Sequence, residues 1–155
     1  LDWLPQGDSK WRPFVQGAVE YDTFQDWDWR TSAYGGFGYE LIKTDKILFL
    51  PRFGIGASKE FGGNDNKIHP EGLLGADFNW TIDERSKFFV TGDSYWLLDE
   101  IPDYRVFVRA GYEIVVDPKS GMSLKLGVED TYDASPGDDK NRNDINYFAV
   151  MSIPF

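Results

Sequence analysis

Cysteine is absent from the 155 residues, which excludes disulfides, Cys-ligated zinc and a thiol nucleophile. The absence is compatible with export through the periplasm, where stray thiols would be oxidised, though cytosolic proteins can also lack cysteine. Long apolar runs are missing as well. A run such as Ile47-Leu48-Phe49-Leu50 stops at Pro51, whereas a membrane-spanning helix needs about 20 apolar residues. Sustained 3.6-residue periodicity is not found, so almost no helix is expected beyond residue 10. Basic charge is scarce: 16 Lys and Arg against 26 Asp and Glu leave a net charge of −10. That sign argues against nucleic acid as a partner, because phosphate contact needs a basic surface. Histidine occurs once, at position 69. The chain starts at Leu1 with neither Met nor a basic-then-apolar leader, and it reads as a processed product whose signal peptide has been removed.

What is present points to sheet. Aromatic residues make up 17% of the chain and glycine contributes 16 residues; together they favour strands and tight turns over helical bundles. The length predicts one domain over 1–155, with 1–10 as an N-terminal extension. Eight strand-like segments are expected at 11–22, 29–42, 46–59, 72–82, 87–97, 104–116, 121–132 and 145–155. Most are longer than the usual globular strand and suit a tilted membrane crossing. In the seventh, Met122, Leu124, Leu126 and Val128 share one face and Ser123, Lys125, Gly127 and Glu129 the other. In the sixth, Val106, Val108, Ala110, Tyr112 and Ile114 oppose Arg105, Arg109, Gly111 and Glu113. Short polar turns at Lys43 to Lys46, Asp83 to Ser86 and Asp117 to Ser120 alternate with mostly longer connections rich in Gly, Asn and Asp. Short turns on one side and longer loops on the other are the habit of antiparallel up-and-down transmembrane β-barrels.

Alternation does not by itself say which face is wet, since a soluble lipocalin-like barrel alternates too. The glycines help to decide. Gly36, Gly38, Gly54, Gly56, Gly75, Gly111 and Gly127 fall mostly on the polar face. On a solvent face they would weaken the strands with no return; inside a narrow barrel they make room for charged neighbours. An eight-stranded barrel is just wide enough for side chains to fill it. The expected interior charge network is Arg52, Arg105, Arg109, Glu113, Lys125, Glu129, Asp77, Asp93 and Glu40, paired because buried charges must be. Trp80, Trp96, Tyr39 and Tyr132 near strand ends fit interfacial girdles. The final strand closes on Phe155, as does the usual last strand of a bacterial outer-membrane barrel, and Phe155 is expected to act as an assembly signal.

Several pieces of the sequence, in order, resemble a known family. They include Tyr21-Asp22-Thr23-Phe24, Gly36-Phe37-Gly38-Tyr39, Arg52-Phe53-Gly54-Ile55-Gly56-Ala57, Gly75-Ala76-Asp77-Phe78, Arg109-Ala110-Gly111-Tyr112-Glu113 and Leu124-Lys125-Leu126-Gly127. The chain resembles the barrels grouped as domain of unknown function 481, which include proteins called salt-induced outer membrane protein. The resemblance implies a Gram-negative outer-membrane location, with membrane lipid and the barrel assembly machinery as partners. It implies no catalytic residue and no cofactor, and longer relatives put the strand count in question.

Residues that could carry chemistry are few. His69, in an expected loop beside Pro70-Glu71, reads as a surface residue rather than a catalytic base. The carboxylates Asp133, Asp138, Asp139 and Asp144 match no EF-hand spacing and read as a solvated acidic loop. The expectation is a non-enzymatic outer-membrane barrel of structural, envelope-stress or loop-mediated binding role, its interior closed by charge pairs. The alternative is a small pore or ligand-binding barrel. Oligomeric state is not legible.

Overall fold

A computed structural model describes residues 9–21, 28–62, 67–99, 103–135 and 141–153. It is all-β: β1 (Trp11–Tyr21), β2 (Trp29–Tyr39), β3 (Ile42–Lys43), β4 (Ile47–Phe61), β5 (Ile68–Thr81), β6 (Ser86–Leu97), β7 (Tyr104–Asp117), β8 (Met122–Asp133) and β9 (Asn143–Ser152). Among the described residues there is no helix. All nine strands form one antiparallel up-and-down sheet in the order β1-β2-β4-β5-β6-β7-β8-β9, with the two-residue β3 folded back onto β4. The eight long strands answer to the eight expected segments. The differences lie at the ends: β2 stops at Tyr39 rather than 42, and β5 begins at Ile68 rather than 72. Phe155 lies outside the described residues.

Local chemistry explains the turns. The Asp117 carboxylate accepts from the Lys119 and Ser120 N–H groups and from the Ser120 hydroxyl. Gly121 then re-enters the sheet at φ 71°, a left-handed value that suits glycine. At Arg85 the chain is turned by its N–H donating to Asp83 Oδ1, 2.8 Å away. The Thr44 hydroxyl accepts from the Ile47 N–H at 2.9 Å. These hydrogen bonds set the hairpin registers, and a register slip of one residue would put every side chain on the wrong face.

The sheet curls strongly. Gln16 of β1 reaches Tyr95 of β6, its Nε2 donating to the phenolic oxygen at 3.1 Å, and Glu20 of β1 lies 3.9 Å from Arg105 of β7. Among the described residues β1 and β9 share no ladder. Curling gives the sheet a concave and a convex side of opposite character. The convex side is apolar and open: Val15, Phe37, Phe53, Ile55, Leu74, Leu126 and Met151 are all exposed there. Val108 is exposed there too, and Leu124, Val106 and Phe78 share the alternation of Leu126 and Val108. The concave side holds the small core of Phe14, Tyr34 and Leu73, with Tyr95 packed against it.

Glycine makes the concave side possible, by a route not foreseen from the sequence. Phe14 lies on one rung with Gly36, Gly54 and Leu73. Phe89 shares a rung with Gly111 and Gly127, ending at Phe148. A Cβ at Gly36 or Gly54 would press on the Phe14 ring, one at Gly111 on the Phe89 ring, and one at Gly127 on the Phe148 ring. The glycines therefore clear a floor chiefly for rings, and so allow the inward aromatic side chains of distant strands to approach: Phe89 and Phe148 have centroids 6.4 Å apart. Gly127→Val is expected to destabilise by about 1–3 kcal/mol, the usual range for overpacking, because its side chain would collide with the Ala110 carbonyl and the Phe148 ring. Equilibrium urea unfolding checks this; an unchanged midpoint would mean that the rung is not closely packed.

Candidate functional site

The same rung device brings charges together. Tyr34 on β2, Gly56 on β4 and Glu71 on β5 are in register. With no side chain at Gly56, the Tyr34 ring crosses β4 and its hydroxyl donates to Glu71 Oε2. Ser58 donates to Glu71 Oε1, and Arg105 Nη2 lies 3.0 Å from both carboxylate oxygens. Glu71 is only 1% exposed. A carboxylate so placed must have its lone pairs occupied, and here two hydroxyls and a guanidinium do so. Arg105 also lies over the Tyr95 ring at 5.5 Å, and Tyr95 packs against Tyr34 with centroids 4.9 Å apart.

Arg52, Gly75 and Asp93 form a second such rung across β4, β5 and β6. Arg52 bridges two carboxylates, with Nε 2.9 Å from Asp77 Oδ2 and Nη2 2.9 Å from Asp93 Oδ1. On the β7–β8 side Arg109 Nε is 3.1 Å from Glu129 Oε1, and its guanidinium sits 4.3 Å from the Phe148 ring centroid. Next along the hairpin, Lys125 is 3.7 Å from Glu113, which also accepts from the Ser123 hydroxyl at 2.8 Å. These two pairs are more exposed than the Glu71 and Arg52 groups.

Eight of the nine residues expected in the charge network thus lie on the concave face, in local groups of two or three. Glu40, the ninth, stands at the end of that face beside Arg12, whose rung runs through Gly38 to Arg52. It follows β2 at the short-turn end, 2.7 Å from Arg12 and 3.0 Å from Lys43. Burial alone would raise its pKa; hydrogen bonds from Lys43 and Arg12 outweigh that and hold the carboxyl below its ordinary value. Glu71, the most buried charge, is not among the expected residues, and His69 is not the loop surface residue expected. His69 is in fact buried within β5, with Nδ1 3.1 Å from Asp99 Oδ2. Pro70 caused both misreadings, since proline inside a segment is a loop signal. The alternation His69, Glu71, Leu73, Gly75, Asp77 was the available counter-signal. Tyr34, Tyr95, Gln16 and Ser58 were also missed, because hydroxyl and amide side chains carry no charge pattern.

Chemically, this is an interior of paired charges and occupied hydroxyls. The Ser58 hydroxyl is committed to Glu71 and the His69 ring to Asp99. Among the described residues no group of three or more His, Cys, Asp or Glu is arranged to hold a metal ion. In comparisons with known proteins, a family model described as a protein of unknown function, DUF481, matches residues 2–153. Neither a curated protein nor a solved structure matches the chain.

Proposed function

The chain belongs to the DUF481 family, and from that premise we propose that it is an integral outer-membrane β-barrel, non-enzymatic, whose interior is plugged by its own side chains. The observation that carries this reading is the inversion of the two faces. Large apolar side chains stand outward and exposed, Ile55 at 73% and Leu74 at 59%, while Glu71, Asp93 and Arg52 are turned inward and paired. A soluble barrel would have the opposite arrangement, because exposed apolar patches of this extent are rare on soluble monomers.

Dimensions agree. The outward row of β8 from Met122 to Tyr132 covers roughly 34 Å along the strand, or roughly 26 Å across a bilayer once tilted, close to the apolar band of known barrels. Rings collect at both ends of the strands. Trp96 stacks on Tyr104 with centroids 4.7 Å apart and Tyr104 lies 5.8 Å from Tyr132 at the long-connection end. Trp11 lies 5.0 Å from Tyr39 at the short-turn end. Such positions suit a membrane interface. Asp130 is the charged exception on the outward face of β8, next in the alternation to the rim residue Tyr132. The reading requires β1 and β9 to pair in the membrane, since open sheet edges are not tolerated in hydrocarbon. In this orientation the short turns, the start of β1 and the end of β9 face the periplasm and the long connections face outside. Membrane lipid and the barrel assembly machinery are then the partners.

The test is fractionation with gel mobility. The protein is expected in the outer-membrane fraction, released only by detergent, and to migrate differently in SDS before and after boiling. Extraction into buffer without detergent would sink the proposal and favour a soluble binder. Single-channel recordings separate the plugged barrel, expected to be silent, from a conducting pore.

A further inference from the structure

The charged interior does not account for a groove on the opposite, outward face. It has a volume of about 500 Å³, with walls that include Phe53, Ile55, Leu74 and Trp96 and a floor that includes Gly35 and Gly72. Gly35, Ile55 and Gly72 lie on one rung, so the two glycines leave open space on either side of an exposed isoleucine. These glycines differ from the inward ones. A Cβ at Gly35 would find no heavy atom nearer than 3.9 Å, and one at Gly72 none nearer than 3.6 Å. Glycine weakens a strand unless something approaches its backbone closely. Inside the sheet that something is the Phe14, Phe89 or Phe148 ring; outside, among the described residues, only the Leu98 side chain touches the position of Gly72, and nothing comes nearer than 3.9 Å at Gly35.

The chemistry of the groove narrows its occupant. Its lining is apolar, so whatever lies in it needs no hydrogen-bonding partners. One base stands on the same outward alternation: Lys59, on β4 beyond Ile55 and Ala57, roughly 14 Å along the strand from Ile55 towards the long-connection end. Its ammonium lies over the Phe61 ring at 5.1 Å, at the level where a lipid head would sit. An apolar groove with one cation further along the same face, towards the long connections, is complementary to an acyl chain carrying a phosphate at one end. We propose that this groove binds an acyl chain of the phosphorylated glycolipid of the outer leaflet, with Lys59 beside its phosphate. The proposal rests on the outer-membrane reading above, which puts the long connections, and hence Lys59, on the outer side.

Native mass spectrometry of the full chain in mild detergent tests it, with purified lipid A, phosphatidylglycerol and a neutral diacylglycerol as separate probes. The unmodified chain should retain lipid A in preference to the other two. Gly35→Leu and Gly72→Leu fill open space and so should keep the boiling-dependent gel mobility while losing most of the retained lipid A. Lys59→Gln should weaken lipid A retention several-fold and leave diacylglycerol unaffected. Equal retention by both filled variants overturns the groove as the site. Preference for phosphatidylglycerol overturns the glycolipid assignment. A dimer mass that disappears in Gly35→Leu gives the groove to a second copy of the chain and also overturns the proposal. Absence of boiling-dependent mobility in the unmodified chain is a different failure, that of the barrel itself.

Discussion

Glu71→Ala is expected to destabilise the protein by about 3–5 kcal/mol, the range for removing one partner of a buried ion pair. The change leaves the Arg105 guanidinium, itself only 14% exposed, without its main counter-charge. It also removes the acceptor for the Tyr34 and Ser58 hydroxyls, and an unsatisfied buried donor costs about 1–3 kcal/mol. Glu20, at 3.9 Å from Arg105 and half exposed, replaces little of this. The double variant Glu71→Ala with Arg105→Ala should therefore lose less than the sum of the two single changes, because each single change strands what the double change removes. Equilibrium urea unfolding of the protein refolded into lipid vesicles measures all three. Strict additivity, or a loss below about 1 kcal/mol for Glu71→Ala, would show that the group is solvated and would weaken the plugged interior with it.

Leu126→Arg is expected to cost about 2–4 kcal/mol in a bilayer, the penalty for a cation near mid-depth on the lipid face of a barrel. Leu126 sits mid-strand in β8, between Tyr112 and Ala149 on the neighbouring strands, and is 46% exposed. The same substitution on a water-facing surface would stay within about 0.5 kcal/mol, so the size of the loss distinguishes lipid from water around this face. Lys125 supplies the control, being the next residue and turned the other way towards Glu113. A loss at Leu126 indistinguishable from zero in vesicles would falsify the membrane assignment, whatever the interior contains.

The two predictions probe opposite sides of one sheet, and their joint outcome separates the alternatives. A plugged membrane barrel predicts both losses. A soluble binder with this unusual surface predicts the Glu71 loss alone. A conducting pore predicts the Leu126 loss together with a mild Glu71 effect, since a water-filled lumen would solvate Arg105.

How much of this was legible in the sequence depends on range. Period-two alternation is a local property: Met122, Leu124, Leu126 and Val128 had to share a face once β8 was a strand. The polar turns between the hairpins are local as well, so the number, order and pairing of the long strands, and hence the all-β up-and-down fold, followed from residues a few positions apart. The pairing of Arg109 with Glu129 was within reach too, because both flank one short hairpin and stand in register. Other pairings were not. Arg105 meets Glu71 from 34 positions away and Arg52 meets Asp93 from 41, across an intervening strand each time. Alternation tells which face a side chain occupies but not how far a curled sheet lets it reach. That reach was decided by tertiary structure, through the registers that set Gly56 between Tyr34 and Glu71 and Gly75 between Arg52 and Asp93. The physical reason is steric: a rung without a Cβ is a gap, and only the assembled sheet determines which long side chain lies across it.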